Sequence, residues 1–393
     1  TTGGVANFSS DPRGLGEVFD EILANLKSYH ALGPLRNSMH NTVEQVFDHE
    51  ILALILQEML LKRKVKMLLH TRFVDAVVRN GSIEQLIICG QSGPEALQAK
   101  VFIDCTGEAQ VAHASGFATM KGRDSDGLPM GMSLMAFVRH VTPEQLNDPE
   151  GRLKCHIKNH MIQYAPSQIP EGAFEPFEKQ EDMPRVSLWP NGPHSSALKI
   201  KVPGGYDPTD TESITAAEIK GRQDLARVLD FYQRKQHMPW ILDHVSPIIG
   251  IREGRRIVGD YVLNVDDVRS GRQFDDGVAR GTYCLDLHPP DNSEPFAHQG
   301  DASIPPYLIP LRSLIARDGH NLLMAGRCLS ADTLALSAAR VSPAGAMMGQ
   351  AAGITAALAA TSGKTIRTVS PESVRKLVLE RGADLSPHRR EIE

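Results

Sequence analysis

An apolar helix near the C-terminus constrains the fold of this chain more than any other segment. It is predicted over Pro343–Ala360, with Ser342 as its N-cap and a proline as its first helical residue. Gly345, Gly349 and Gly353 recur every fourth residue and share one face, although each glycine costs about 1 kcal/mol relative to alanine in a helix interior. This spacing predicts that something approaches the helix backbone closely.

Two explanations of the glycine face stay open from the sequence. Tight packing of the helix on a strand would need small residues there. A ligand at the helix N-terminus would need them too, because free N–H groups and the helix dipole favour negative charge at that end. The segment Asn321–Ala325 is predicted as a short buried strand that leads through the turn Gly326-Arg327-Cys328 towards this helix.

A second buried strand ends in the same way, at Val101–Gly107, where Thr106-Gly107 allows the backbone to turn sharply. The two strands lie far apart in the sequence and flank a region rich in loops. They predict a ligand-binding domain split by an insertion.

The remaining periodicity predicts an α/β chain, α+β overall, with interleaved helices and strands. Helices are predicted over Gly14–His30, Asp48–Lys64, Thr215–Gln236 and Pro371–Arg381, and strands among the apolar runs Val65–Leu69, Phe73–Val78, Ile83–Cys89, Ala99–Cys105 and Met130–Val141. Asn80-Gly81 is typical of a hairpin turn. The predicted boundaries are 1–127 and 309–362 for the split domain, 128–308 for an inserted substrate or cap domain, and 363–393 for a C-terminal helix and tail.

Two clusters carry candidate chemistry in the inserted segment. Arg252, Arg255 and Arg256 fall close together and could clamp a carboxylate or a phosphate, although a solvated basic face explains them equally simply. Asp286 and His288 would share a face of an extended strand, which would make His288 a proton carrier oriented by the carboxylate. Such a pair also arises often by chance.

Composition excludes several classes of function. The net charge is −5 and no Lys/Arg block occurs, so we expect no nucleic-acid partner. The five cysteines contain no CxxC pair, which argues against a disulfide scaffold, a zinc site or an iron–sulfur cluster. No signal peptide, membrane span, nucleophile elbow or HExxH helix is recognisable, and we expect a cytoplasmic protein without a metal.

Together these segments resemble the FAD-dependent oxidoreductases of the glutathione-reductase fold type, nearest to the group labelled FAD_oxidored. The resemblance is strongest in Val101–Gly116, Ile309–Ala359 and Ile249–Leu263. It implies a split Rossmann-like FAD-binding domain, FAD as the cofactor, and an enzyme that moves a hydride between a small polar or anionic substrate and the flavin. Arg252, Arg255 or Arg340 would hold the anionic group, and His288 would shuttle a proton.

The resemblance also assigns residues to the cofactor. The opening glycine loop would lie near the FAD ribose, the backbone at Val74 would contact adenine, and two strand ends and the N-terminus of the apolar helix would surround the flavin. The implied residues are Thr2, Gly3, Gly4, Val74, Cys105, Thr106, Gly107, Gly326, Arg327, Ala344, Gly345 and Ala346. Cys105 stands where the family usually has alanine.

One departure from the family concerns the pyrophosphate site. Members begin with a strand, a GxGxxG turn and a helix, and the only GxG here, Gly14-Leu15-Gly16, follows no strand. We expect the given sequence to be truncated. A non-catalytic, flavoprotein-like subunit that binds or scaffolds a complete partner is the alternative. The expected partner is a small-molecule substrate, and self-association into a homo-oligomer is left open.

Overall fold

The computed structural model describes residues 7–37, 42–140, 167–192, 194–238, 240–290 and 304–390. Helices and strands interleave along the chain, which confirms the mixed α/β class. The chain divides into two compact units, one within 131–206 and 211–251, the other made of 7–130, 207–210 and 252 onwards. The predicted insertion, 128–308, overlaps the first unit but extends further, because the residues from Arg252 pack within the second.

The strands are short. In chain order they are β1 (Asn7–Phe8), β2 (Leu32–Asn37), β3 (Val43–Phe47), β4 (Arg72–Arg79), β5 (Ser82–Gly90), β6 (Gly93–Leu97), β7 (Phe102–Asp104), β8 (Thr119–Lys121), β9 (Ser133–His140), β10 (Val186–Gly192), β11 (Ser195–Lys201), β12 (Trp240–Val245), β13 (Arg255–Ile257), β14 (Gly277–Gly281), β15 (Tyr307–Pro310) and β16 (Leu322–Met324).

The α-helices are α1 (Glu17–Ser28), α2 (His49–Lys62), α3 (Gln110–Ala114), α4 (Thr211–Asp230), α5 (Val265–Arg269), α6 (Thr333–Ala339), α7 (Ser342–Ser362) and α8 (Pro371–Glu380). Helix α4 continues into a π-helical turn over Phe231–Lys235. Within the described residues, no helix is both long enough and apolar enough to cross a bilayer.

The first unit is an antiparallel sheet in the order β10-β11-β9-β12 with α4 packed on it. Alternate residues of β9 point to opposite faces, so Leu134, Ala136 and Val138 lie in one buried cluster. Leu225 and Val228 of α4 belong to the same cluster. Strands β10 and β11 were not predicted, because their region is rich in proline, glycine and polar residues.

The hairpin in the second unit was predicted correctly. Strands β4, β5 and β6 form an antiparallel sheet, and Asn80 and Gly81 join the first two with φ angles of 51° and 73°. Two consecutive left-handed residues are what a tight type I′ turn requires. The apolar run Val65–Leu69, by contrast, forms no strand.

The central element of the second unit is the parallel pairing of β7 with β16. Leu322 lies opposite Phe102 and Met324 opposite Asp104, so both strands end at the same edge. All of β16 is fully buried. The predicted return of two distant strands to one ligand-binding edge is therefore present in the fold.

Helix α7 follows that edge but begins differently from the prediction. Val341, not Ser342, is the N-cap, with extended φ and ψ of −73° and 151°, and no side chain caps the helix. The Val341 carbonyl accepts the first helical hydrogen bond from Gly345 at 3.0 Å. Ser342 is itself the first helical residue and its side chain is exposed, so its hydroxyl contributes no cap.

Candidate functional site

The turn after β7 is organised by the buried carboxylate of Asp104. Its Oδ1 accepts from the Thr106 amide at 3.0 Å and from the Thr106 hydroxyl at 2.7 Å. Its Oδ2 accepts from the amides of Val111 and Ala112, at 3.0 and 3.2 Å, in the first turn of α3. Asp104 thus fixes the path of the Thr106-Gly107 backbone. We did not predict this role, although an acidic residue in an otherwise apolar strand was the available signal.

The thiol of Cys328 joins the two strand-end turns. Its Sγ accepts from the amides of Gly107 at 3.1 Å and Ala109 at 3.3 Å. Burial, with a smaller contribution from the charge on Asp104, raises the pKa of Cys328 to about 12, so the group stays a neutral thiol. The two turns are therefore held together by a weak but buried set of hydrogen bonds.

Arg327 lies directly over the Gly107 backbone. Gly107 has φ +82°, and a Cβ built on it would overlap the Arg327 guanidinium. Gly326 also has a left-handed φ, +77°, but a Cβ there would meet no described atom within 4 Å. Both glycines are needed for conformation, and Gly107 is needed for space as well.

Glu108 completes this group, and sequence analysis missed it. Its Oε1 accepts from Arg327 Nη2 at 2.8 Å. Burial raises the pKa of Glu108 to about 7, although the charges of Arg327 and Arg255 oppose that shift. An acidic residue directly after Thr-Gly was the signal that could have identified it.

The first turn of α7 offers fewer amides than the family resemblance implied. Gly345 already donates to the Val341 carbonyl, and Ala346 lies one residue deeper in the helix. Of the three predicted residues, only Ala344 has its amide among those that precede the first helical hydrogen bond. Ser342 is the other such amide, since Pro343 has none.

The glycine face of α7 bears on the two explanations left open by the sequence. A Cβ at Gly345 would meet only the Gly326 Cα, at 3.9 Å. At Gly349 and Gly353 it would meet no described protein atom within 4 Å. Packing between α7 and the rest of the described chain therefore does not require these glycines.

The remaining cofactor positions are dispersed. Val74 sits at a register shift between Phe73 and Asp75 in β4, where the strand bulges, and its side chain is exposed. The Cys105 side chain is exposed at the end of β7. Thr2, Gly3 and Gly4 lie outside the described residues.

A second group of charged residues is buried around Asp286. Arg340 Nη2 donates to Asp286 Oδ2 at 2.6 Å and to the Asp286 carbonyl at 3.1 Å. His288 Nε2 lies 3.1 Å from Asp286 Oδ1. The predicted contact between Asp286 and His288 is present, but these residues lie in an irregular segment after β14 and not in a strand.

The charges of this group are uneven. Burial lowers the pKa of Arg252 to about 10, and the neighbouring charge of Arg340 lowers it further, with Asp286 opposing both. Burial and the charge of Arg252 also hold the pKa of His288 well below its usual value, so the imidazole is neutral. Burial alone would raise the pKa of Asp286, but the adjacent cations hold it well below its usual range. Two guanidinium groups thus share one carboxylate.

The arginines of Ile249–Leu263 do not form a single clamp. Arg255 begins β13 and acts on Glu108, whereas Arg256 forms an ion pair with the buried Glu253 and donates to the Gly122 carbonyl at 2.8 Å. Alternation along an extended segment sends neighbouring side chains in opposite directions. The interpretation that they fall within one helical turn was wrong.

Comparison with known proteins gives one family match. A family model described as FAD dependent oxidoreductase matches residues 1–378, and no curated protein matches. Among solved structures, CmlS, a flavin-dependent halogenase, is 11% identical with a TM-score of 0.44, over 96% of this chain and 54% of that chain. The flavin-dependent brominase Bmp2 is 9% identical (TM-score 0.40), over 96% and 73%. A geranylgeranyl bacteriochlorophyll reductase-like protein from Thermoplasma acidophilum is 12% identical (TM-score 0.39), over 87% and 62%.

Proposed function

This chain belongs to the FAD dependent oxidoreductase family, with FAD as its cofactor, and from that premise we propose that it transfers a hydride between a small anionic substrate and the flavin. When bound, FAD supplies the acceptor for the two electrons of that hydride. The observation that carries the proposal is the buried group around Asp286, in which Arg252 and Arg340 bring two positive charges to one carboxylate. The surplus charge favours an anionic ligand.

The strand-end turns and the start of α7 fit the cofactor. Thr106, Gly107, Gly326 and Arg327 would hold the flavin through backbone that glycine allows to approach closely. The Ala344 amide at the positive end of α7 would favour negative charge on the ring. The exposed glycine positions 349 and 353 on α7 are consistent with a ligand close to the helix backbone.

Arg340 and Arg252 would anchor the anionic group of the substrate. Arg340 is held by two hydrogen bonds to Asp286, which restricts its side chain before any ligand arrives. A substrate carboxylate would accept charge-assisted hydrogen bonds in a buried environment, where such bonds are strong. Arg255 is left out of this anchor because it acts on Glu108.

His288 would take the proton that leaves the substrate during oxidation. It is neutral, so it can accept a proton, and Asp286 orients its ring through Nε2. The imidazolium formed would be stabilised by the same carboxylate. Asp286 therefore supports both the anchor and the proton acceptor.

The test is anaerobic reduction of the FAD-loaded full chain by a panel of 2-hydroxy acids and dicarboxylates, compared with their neutral esters. We expect the acids alone to bleach the visible flavin band. Arg340→Ala should slow bleaching by about 10- to 100-fold, the loss expected for a charge-assisted contact of about 1.5–3 kcal/mol, while FAD stays bound. Arg79→Ala is the matched control, because Arg79 is an exposed residue of β4.

Three results would contradict the proposal. Equal rates with Arg340→Ala would remove the anchor, and equal rates with the esters would remove the requirement for an anion. Oxygen consumption with a hydroxylated or halogenated product would instead identify oxygen chemistry. Colourless protein that cannot be reconstituted with FAD would favour the non-catalytic subunit.

A further inference from the structure

Glu108 has no part in the proposed hydride transfer, yet its carboxylate is buried beside the cofactor turns. It is 7% exposed and follows the Thr106-Gly107 turn directly. Burial of a carboxylate is costly unless it is paired. Its place in the fold therefore needs a physical explanation.

Two glycines make room for the contact between Glu108 and Arg327. A Cβ on Gly254 would overlap Glu108 Oε2, and a Cβ on Gly107 would overlap the Arg327 guanidinium. With both positions occupied by glycine, Glu108 Oε1 reaches Arg327 Nη2 at 2.8 Å. The pair is thus enclosed from both sides by backbone, and the Arg327 side chain is 28% exposed while that of Glu108 is 9% exposed.

The charges that face Glu108 come from three other parts of the unit. Arg327 and Arg255 favour its ionised form, and Asp207 disfavours it. Asp207 itself forms an ion pair with Lys121. The strongest single partner of the carboxylate is therefore Arg327, which is the one in direct contact.

We propose that Glu108 is a positioning residue that holds the Arg327 guanidinium against the Gly107 backbone at the FAD site. This inference rests on the proposed place of Arg327 beside the cofactor. The ionised carboxylate fixes the planar guanidinium by a charge-assisted hydrogen bond. The protonated form can only accept a weaker hydrogen bond, and Arg327 is then less ordered.

The inference makes FAD binding depend on pH. Because burial raises the pKa of Glu108 to about 7, the carboxylate passes from mostly protonated to mostly ionised across neutral pH. FAD affinity should therefore rise with pH in this range. A carboxylate that acted merely as a negative charge near an anionic cofactor would give the opposite trend.

The experiment titrates the full chain with FAD, following quenching of flavin fluorescence from about pH 6 to about pH 8. We expect the wild-type Kd to fall by about tenfold over this range, the size of one charge-assisted hydrogen bond. Glu108→Gln should bind FAD at every pH as weakly as the wild type does at the acidic end. Glu58→Gln, an exposed carboxylate of α2, should keep the wild-type pH dependence.

Glu108→Asp provides a second variant that keeps the charge but shortens the side chain. It should retain a pH-dependent step at weaker overall affinity. Thermal melting at both pH values identifies any variant that is not folded, and the aspartate variant then carries the test.

The possible results separate the inference from its premise. Tighter FAD binding by Glu108→Gln, or an unchanged pH step in that variant, would overturn the positioning role. If Arg327→Ala binds FAD like the wild type at every pH, the proposed place of Arg327 fails and the inference fails with it. If Arg327→Ala binds weakly but Glu108→Gln is normal, only the inference fails. Absence of FAD binding by the wild type at any pH would overturn both.

Discussion

Arg340 donates a hydrogen bond of 2.6 Å to the carboxylate of Asp286 and a second, of 3.1 Å, to the carbonyl of the same residue. Arg340 is the C-cap of α6, whereas Asp286 lies in the irregular segment after β14. The two bonds therefore fix a loop without regular structure to the end of a helix. They also place a carboxylate against His288 and the buried Arg252.

Replacing Asp286 with asparagine should destabilise the fold. The change leaves Arg252 and Arg340 buried with no nearby anion, and loss of one partner from a buried ion pair costs about 3–5 kcal/mol. The free energy of unfolding in urea measures the effect. Asp266→Asn, at an exposed position of α5, is the control and should change it by less than about 0.5 kcal/mol. A similar small change in Asp286→Asn would show that the group is not under electrostatic constraint.

Alanine at Gly349 or Gly353 should separate the two explanations of the glycine face. An added methyl group meets no described protein atom within 4 Å, so each variant should be more stable than the wild type by up to about 1 kcal/mol, from helix propensity alone. If the face borders the cofactor, FAD affinity should fall in the same variants. Thermal melting without FAD and fluorescence titration with FAD measure the two effects separately. Unaltered FAD affinity in both variants would place the cofactor elsewhere.

Glu108 should make the folded chain less stable as the pH rises from about 4.5 towards 7. Burial raises its pKa from 4.5 to about 7, so between these values the folded state holds a proton that the unfolded state has lost. The unfolded state binds fewer protons, and the stability contribution falls with rising pH, by of the order of 3 kcal/mol over the whole window. Urea unfolding at a series of pH values, compared between the wild type and Glu108→Gln, isolates this contribution. Parallel curves for the two proteins would refute it.

His288 should give a flat pH profile for substrate reduction of the flavin across neutral pH. Its pKa is held well below the usual value by burial and by Arg252, so the imidazole stays neutral as the pH falls towards 6. His288→Gln should lower the rate by about 10²–10⁴-fold, the usual contribution of a general base, with FAD still bound. Stopped-flow reduction over this pH range provides the measurement. A rate that falls with an apparent pKa close to 6.5 would show instead that His288 is solvated or paired more strongly with Asp286.

Several elements could be predicted because their signals are local. Asp48 caps α2 through hydrogen bonds to Glu50 and Ile51, and Asn80-Gly81 closes its hairpin, as their residue types indicate. The strands around Phe102 and Leu322 were predicted from buried apolar runs that end in glycine. Strand β2 was missed because Leu32–Asn37 contains glycine and proline, and its formation depends on pairing with β3.

The candidate site was predicted only in part. Thr106, Gly107, Gly326 and Arg327 come together because β7 and β16 pair in parallel, as the split-domain prediction required. Asp104, Glu108 and Cys328 were missed, because each acts through atoms that are distant along the chain. The separation of Arg252, Arg255 and Arg256 could not be predicted either, since it depends on which neighbours each side chain meets.

The sequence by itself determined that two glycine-ended strands and a glycine-faced helix form one ligand-binding edge, because period, turn residues and helix propensity are properties of short segments. The tertiary structure alone decided the electrostatics at that edge and in the buried arginine group. Whether Glu108 titrates near neutral pH, and whether His288 is neutral, depends on burial and on charges within a few ångströms. Those distances are set by contacts between segments that the sequence keeps far apart.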